Sequence, residues 1–581
     1  MSTSDLGRPS IGSTLQGHST DIYSSSGRTS ESIRNYHPRY PDGAEKNIAC
    51  GDLQPAQLSR RIYAGSGTLE APYIVDWDHN DPEDPYNWSK ARKWLITSQL
   101  ALCTWTVSFG SSSYTGGMQD TMRDLHISDD VAILGISLYV LGFALGPLVF
   151  APMGEMFGRR IIFLVTLTAY TFLQLGGSIG HNLVALLACR LLAGTFGSSP
   201  LTNAGGAVSD IWNARERGLA TAIYSTVPFL GPVIGPIVGG FVAQNPRLGW
   251  RFNFWLIFIF SASVLVLGYF VTPETYAPVL LRQRAKNLSA RSTGTVYYIS
   301  IHDINESKKS FYQVMRVNLS RPFRFIVTEP IVLLLAIYIS IVYGTLYALF
   351  SAFPIVFQEH RGFTPGQGGL AFLGVGFGIT LGIGSQSIQN QIYWRVLDKS
   401  STGRAPPEAR LHTAIMGGVF VPVGLFWFAW TSTPPIHWIV PILAGVPFGA
   451  GVAQILQSLT TYLMDTYNIY FASAIAATIV MRSFCGAAFP LFSPTMFNSL
   501  GDKWAMSLFG FLAVGCMPIP MLFWKYGWWL RERSRFAYKD SDLIQESTPS
   551  IGFSSQLETI REVEDSGDHR TPQIKFHKED R

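Results

Sequence analysis

The sequence has little charge for its length. Charged residues are 14% of the 581 residues, against about a quarter in an average soluble domain. Hydrophobic residues reach 47%, and the mean hydropathy is +0.20. A globule of this composition would have too few charges to cover its surface. The shortage argues against a soluble protein and favours one that exposes apolar helices to lipid.

The sequence also lacks the residue patterns that carry catalysis. Its five cysteines are odd in number and not at metal-binding spacing, so they indicate neither a metal centre nor a disulfide framework. No histidine, cysteine and carboxylate constellation with catalytic spacing lies in the apolar segments. A net charge of +5, in short basic clusters, provides no continuous basic face for nucleic acid. We expect no enzyme activity, cofactor, metal or nucleic-acid partner.

What the sequence has instead is a series of apolar segments. About 20 helical residues cross a hydrocarbon core of ~30 Å, and this criterion predicts twelve spans. They are Trp94–Tyr114, Val131–Pro152, Arg160–Gly180, Leu183–Gly206, Gly218–Val242, Phe252–Val271, Pro330–Phe350, Gln367–Gln386, Thr413–Thr431, Trp438–Met464, Phe471–Met496 and Trp504–Tyr526. No signal peptide precedes the first span, so we expect that span to direct insertion.

The predicted fold is therefore an all-α integral membrane protein with two six-helix bundles. Its parts are a largely disordered tail (1–93), a first bundle (94–271), a central loop (272–329), a second bundle (330–526) and a second tail (527–581). Six spans on either side of a polar linker are typical of two parallel repeats around a site near the membrane midplane.

Basic residues predict the orientation of the spans. Clusters such as Arg159 and Arg160 follow the even-numbered spans, whereas the connections after the odd-numbered spans contain few basic residues. Arg247 and Arg251, after the fifth span, are exceptions. The positive-inside rule then puts both tails and the central loop in the cytoplasm. The four Asn-x-Ser triplets lie on that side, so we expect no glycosylation. We expect a monomer in the plasma membrane rather than the vacuolar membrane.

The fifth span contains the most informative motif. Gly231, Gly235 and Gly239 recur every four residues and leave one helix face without side chains, so a neighbouring helix can approach closely. Pro232 and Pro236 remove backbone donors and should bend the helix where the halves meet. Ordinary packing of membrane helices is the alternative interpretation.

The connection between the second and third spans is a candidate gate. Glu155, Arg159 and Arg160 can form ion pairs at the cytoplasmic surface, and Gly158 permits a tight turn. Ion pairs of this kind suit a gate that breaks and re-forms in each cycle. Anchoring by positive charge would explain the arginines but not Glu155.

Two arginines lie deep within spans. Arg190 is in the fourth span, where a charged side chain normally faces a cavity and has a function. The alternative is that its side chain extends to the outer membrane–water interface. Arg482 is in the eleventh span and could contact substrate, a carbonyl group or Asp465. Asp210 is ~30 Å from Arg190 along the same helix, so it should pair with a basic residue at its own end: Arg159, Arg160, Arg215 or Arg217.

Several uncharged polar residues could line a substrate path, although each alone is more often a packing residue. They are Asn203, Tyr343, Tyr347, Gln454 and Gln457. No Asp or Glu lies near the middle of a span. A carboxylate that alternates between protonation states is the usual requirement for proton-coupled export. The residues themselves therefore do not indicate proton coupling.

Longer segments resemble a known family, the fungal twelve-span drug:proton antiporters of the major facilitator superfamily. The similar segments are Asp81–Lys90, Arg190–Gly206, Gly231–Gly240, Pro273–Leu281, Pro406–Leu411 and Gly445–Gly449. The resemblance implies a gate at Gly158, Arg159 and Arg160, a proton-transfer role for Arg190, and a bending helix at Gly231, Pro232, Gly235 and Gly239. The chain has Glu155-Met156 where the superfamily has an Asp-Arg pair, and Ala151 where a glycine is expected.

The leading hypothesis is export of small amphipathic or apolar compounds, such as drugs, toxins or secondary metabolites, in exchange for protons. An aromatic, glycine-rich interior suits broad apolar recognition. Two alternatives stay open: import or facilitated exchange of an organic acid, amine or polyamine, and a membrane sensor that transports nothing.

Overall fold

A computed structural model describes residues 63–292, 296–304, 311–399, 405–467 and 470–537. The expected disorder of residues 1–62 and 538–581 lies outside these ranges. The described chain is almost entirely helical. Nine of its helical stretches are long and apolar enough to cross a membrane, and Val227–Ala243 is a shorter apolar helix.

The first half contains six long helices in sequence order. They are α1 (Lys90–Ser112), α3 (Asp129–Phe157), α4 (Arg159–Ile179), α5 (Leu183–Ile211), α6 (Ala214–Ala243) and α7 (Phe252–Val271), with the short α2 (Met118–Leu125) between the first two. Side-chain caps mark two of the starts: Ser89 accepts from the Arg92 amide and Asn182 from the Val184 amide.

The second half follows two helices that lie in the connection, α8 (Ala277–Arg291) and α9 (Phe311–Thr328). Its helices are α10 (Pro330–Phe353), α11 (Pro365–Leu370), α12 (Phe372–Gly384), α13 (Gln386–Lys399), α14 (His412–Thr431), α15 (Ile439–Tyr467), α16 (Phe471–Cys516) and α17 (Pro518–Arg533). Within α16, Gly501 has φ +74°, which interrupts the helix between the predicted eleventh and twelfth spans.

Two predicted spans are divided. The predicted eighth span is split into α11 and α12 at Ala371, after a glycine-rich turn with low helix propensity. The predicted twelfth span is split at Met517, because Pro518 follows and has no backbone N–H to continue the helix.

The all-α prediction is wrong in one detail, because a small parallel sheet lies outside the helical bundles. Strand β1 (Tyr73–Val75), which precedes α1, pairs with β2 (Tyr298–Ser300) in the central connection. Arg284 of α8 binds Asp81 at 2.8 Å and Glu83 at 3.2 Å. The predicted disorder of the first tail therefore does not extend to residues 63–89.

The glycine face of α6 packs against α1. A Cβ atom would lie 2.7 Å from the Phe109 amide nitrogen at Gly231, 2.8 Å from the Ser113 nitrogen at Gly235 and 2.1 Å from the Ser113 carbonyl oxygen at Gly239. No side chain fits in these gaps, so the close approach predicted for this motif is made to a helix of the same half.

A different part of α6 contacts the second half. A Cβ atom at Gly369 of α11 would lie 2.6 Å from the Pro236 carbonyl oxygen, and one at Gly240 would lie 2.4 Å from the Pro365 carbonyl oxygen. The Gln244 side chain also accepts from the Gly366 amide at 3.3 Å. Helix α6 is thus held between α1 on one side and α11 on the other.

Replacing Gly235 by leucine should remove most efflux while the protein still inserts into the membrane, because the side chain overlaps the backbone of α1. Overpacking of this kind costs about 1–3 kcal/mol. Efflux per molecule of surface-labelled protein is the measurement. The control is Gly515→Leu, since nothing lies within 4 Å of a Cβ atom there; equal efflux by the two variants would contradict the assignment.

Candidate functional site

The gate residues meet at one end of the bundle, which we call the basic end. Arg159 begins α4, and its Nε donates to Asp210 Oδ2 near the end of α5 at 2.5 Å. Both side chains are mostly buried, and the Arg159 guanidinium also lies 5.0 Å from the centre of the Tyr276 ring. Of the partners expected for Asp210, Arg159 forms the ion pair, while the side chains of Arg215 and Arg217 lie outside the described part of the chain.

A carboxylate without a predicted role, Glu274, completes this end of the first half. It follows α7 and accepts from the backbone amides of Arg159 and Arg160, each at 3.1 Å, and of Thr275 and Tyr276. It thereby satisfies amide groups at the start of α4, where the helix dipole also favours a negative charge. Burial around this cluster raises the pKa of Tyr276 to about 12.

Gly158 makes this cap possible. Its φ is +102°, a conformation that L side chains rarely adopt. A Cβ atom there would also lie 2.4 Å from Glu274 Oε2. Glu155, in contrast, is exposed and makes no ion pair within the described residues. Asp210 is the carboxylate that binds Arg159 in this conformation, and the ion pairing of Glu155 stays a prediction.

The second half repeats the arrangement. Arg410, just before α14, donates to Asp465 near the end of α15 at 2.8 Å. Beside it, Arg531 of α17 binds both carboxylate oxygens of Glu408, at 2.9 and 3.1 Å, with both side chains nearly buried. In each half, an arginine before one long helix therefore pairs with an aspartate at the end of the next.

Arg190 lies inside the first half and is 1% exposed, so its side chain does not extend to the membrane–water interface. It donates to three backbone carbonyl groups: Nε to Gly135 at 2.7 Å, Nη1 to Gly110 at 2.7 Å and Nη2 to Ser111 at 2.9 Å. Its guanidinium is also 4.3 Å from the centre of the Tyr139 ring. Arg190 thus connects α1, α3 and α5 without a carboxylate.

A chain of polar groups joins Arg190 to the second half. Ser111, whose carbonyl accepts from Arg190, has its hydroxyl 3.3 Å from the Tyr347 hydroxyl on α10. Tyr343 donates to the Tyr347 hydroxyl at 3.4 Å, and the Arg482 guanidinium lies 5.1 Å from the centre of the Tyr343 ring. The two deep arginines are therefore connected across the boundary between the halves.

The remaining predicted path residues lie within their own halves. Asn203 donates to the Phe150 carbonyl and the Ser199 hydroxyl, which binds α5 to α3. Gln454 donates to the Ser385 hydroxyl at 2.8 Å, and Gln457 is half-buried one turn further along α15. In this conformation Asn203 and Gln454 are contacts between helices of one half.

At the opposite end, Arg251 explains an exception to the charge pattern. It binds Asp124, which follows α1 in the acidic first connection, and the bond lowers the pKa of that carboxyl group below its usual value. The partner neutralises Arg251, so a basic residue is tolerated at this end.

Two bundles of long apolar helices that meet along one boundary, with ion pairs inside each half, define a membrane transport protein. The sequence model of the Major Facilitator Superfamily matches residues 100–490, and the chain belongs to that family. It is a transporter of the efflux-pump type and not an enzyme.

Relatives and a solved structure agree with this assignment. The chain is 48% identical to the MFS-type efflux pump MFS2 of Trichophyton rubrum, over 87% of this chain and 84% of that protein. It is 47% identical to the multidrug transporter mdrA of Aspergillus fumigatus, over 83% and 79% of the two chains. The E. coli xylose transporter XylE, in a partially occluded inward open conformation, has the same fold (TM-score 0.53, 16% identity, 75% of this chain and 99% of that one).

Sequence reasoning assigned no role to Glu274 or Glu408, although both lie in segments that carry the family resemblance. Each is an acid directly preceded by a proline, close to a predicted span end. The proline next to each of these acids indicated a turn and not a contact with another helix. The contact that each carboxylate makes depends on a helix more than 100 residues away in the sequence.

Replacing Gly158 by alanine should abolish most efflux, because the left-handed backbone costs about 1–3 kcal/mol and the methyl group displaces Glu274. Gly249→Ala is the matched control: its φ is also positive, but nothing lies within 4 Å of a Cβ atom there. Efflux and thermal stability are measured for both. Similar losses in the two variants would mean that backbone strain alone, and not the Glu274 cap, is responsible.

Proposed function

We propose that the protein exports small amphipathic or apolar compounds by alternating access across the plasma membrane, in exchange for protons. The observation that carries the proposal is the division of contacts: the described ion pairs at the basic end lie within each half, whereas the halves meet through glycine packing, apolar side chains and uncharged hydroxyl groups. The relatives' names, efflux pump and multidrug transporter, support the substrate class and the direction.

We infer twelve spans. Nine apolar helical stretches are long enough to cross the membrane, and α1 and α6, with its shorter apolar part, add two spans. The twelfth comes from the break at Gly501, which divides the stretch Phe471–Arg533 into two spans. The basic clusters support a cytoplasmic location for the basic end, both tails and the central connection.

Contacts between the halves include Gly240 with Pro365, towards the opposite end, and Gly376 with Val233. This arrangement supports a state that receives substrate from the cytoplasmic side. Separating glycine packing exposes no charge, whereas the buried pairs Arg159–Asp210 and Glu408–Arg531 would each leave an uncompensated charge if broken. Each half therefore moves as one unit.

Proton coupling requires a group that changes its protonation state. Arg190 is held by three carbonyl groups and provides a fixed charge. Among the described residues, acids lie only towards the ends of the spans, and Asp210 is the candidate because it is a mostly buried carboxylate bound to Arg159 of the gate. We propose Asp210 as the proton-binding group of the gate.

The test uses purified protein in liposomes with a labelled hydrophobic drug and an imposed pH gradient. Asp210→Asn should remove the dependence of transport on the pH gradient, since the amide cannot ionise, while drug exchange at equal pH continues. Asp120→Asn, at the opposite end, serves as the control. Absence of drug movement by the wild-type protein in either direction would refute export, and net uptake would favour the importer hypothesis.

A further inference from the structure

We propose that the boundary between the halves contains a binding site for an organic anion, in which Arg482 receives a carboxylate group and tyrosines contact an aromatic body. The inference rests on the proposed export function and specifies the charge of one substrate class. It does not require that every exported compound be an anion.

Arg482 lies near the membrane midplane and faces the other half. It is about 16 Å along α16 from Phe471, at 1.5 Å per residue. Gly486, one turn further on the same face, would with a Cβ atom contact both Tyr343 at 3.0 Å and Val140 of the first half at 3.1 Å. The Arg482 side chain is therefore directed to the boundary between the halves and not to lipid.

The Arg482 charge has no protein counter-ion. Its Nε is buried without a hydrogen-bond partner, and none of the described carboxylates forms an ion pair with it. Asp465, the partner considered from the sequence, is bound to Arg410 at the basic end. A guanidinium at this depth is costly unless it is compensated, and the face of the Tyr343 ring compensates it only weakly.

The contrast with Arg190 is informative. Arg190 is fully buried, and three carbonyl groups occupy its donors. Arg482 is partly exposed, and none of the described residues accepts a hydrogen bond from its terminal nitrogen atoms. One deep arginine thus supports the architecture, while the other has donors available for a ligand.

The surroundings favour an anion with an aromatic body. Arg190 and Arg482 lie at the two ends of the Ser111–Tyr347–Tyr343 chain, so both charges beside the boundary are positive. Tyr343 and Tyr347, which are buried in this conformation, have ring centres 4.9 Å apart, and Phe350 packs against Tyr347. A carboxylate matches the planar guanidinium and can accept two hydrogen bonds from it. A cation would meet two like charges here.

The experiment measures binding to the full-length protein in lipid nanodiscs by titration calorimetry at pH 7. Three ligands of similar shape are compared: 2-naphthoate, which is ionised at this pH, 2-naphthamide, which is neutral, and 2-naphthylmethylammonium. The wild-type protein should bind the naphthoate at least about tenfold more tightly than the amide, which corresponds to about 1.4 kcal/mol.

Arg482→Gln should reduce naphthoate affinity to the level of the amide and leave amide affinity unchanged. Arg482→Lys should retain part of the preference, because lysine keeps the charge but not the planar donor pair. Arg316→Gln, on the exposed surface of α9, is the control and should retain the wild-type preference. If Arg482→Gln does not fold, the ligand series on the wild type and Arg482→Lys still tests the site.

Equal affinities for naphthoate and naphthamide in the wild type would overturn the proposal, as would tighter binding of the ammonium ligand. An equal loss of affinity for naphthoate and for naphthamide in Arg482→Gln would show that Arg482 contributes to packing and not to recognition of the carboxylate. Efflux of a neutral drug separates the two proposals: if it continues while the anion preference is absent, export stands and the anion site fails. If the preference for the anion is present and no drug is exported, the anion site stands and the export proposal fails.

Discussion

Hydrocarbon offers no hydrogen bonds, so each charge and backbone group within a span must find its partner inside the protein. The arginines of this transporter satisfy that constraint in different ways. Arg159, Arg410 and Arg531 lie near the basic end and pair with carboxylates, whereas Arg190 binds three carbonyl groups in the interior. Arg482 is the exception among them, and its available donors are what make the boundary between the halves a place for a charged ligand.

The same constraint separates rigid from movable parts. Charged contacts at the basic end hold helices of one half together, and breaking a buried pair is expensive. The contacts between the halves are glycine against backbone, apolar side chains and uncharged hydroxyl groups, which can separate without leaving a charge unpaired. Helix α6 takes part in contacts within its own half and in contacts between the halves. Its glycine face packs on α1, while Pro236 and Gly240 contact α11. A movement of one half against the other therefore changes the contacts of this helix with α11.

Much of the architecture could be predicted. The apolar segments coincide with the long helices, since a span of about 20 residues is required by the thickness of the membrane. The small sheet and the caps could not be predicted, because they depend on contacts between distant segments: β1 pairs with residues more than 200 positions later. For the candidate site, Arg159 was predicted as one of four possible partners of Asp210, but no role was predicted for Glu274, which approaches the gate only after six helices have folded back on one another.

The sequence by itself determined that the protein is a helical membrane transporter, since length, apolarity and family motifs are properties of continuous segments. It also determined which charges are deep, because depth follows from position along a helix. Only the tertiary structure decided what each charge meets. Arg190 and Arg482 look alike as buried arginines in apolar runs, yet one is saturated by carbonyl groups and the other faces the second half with donors available. The partners come from other helices, and no pattern within one helix specifies which of them will face it.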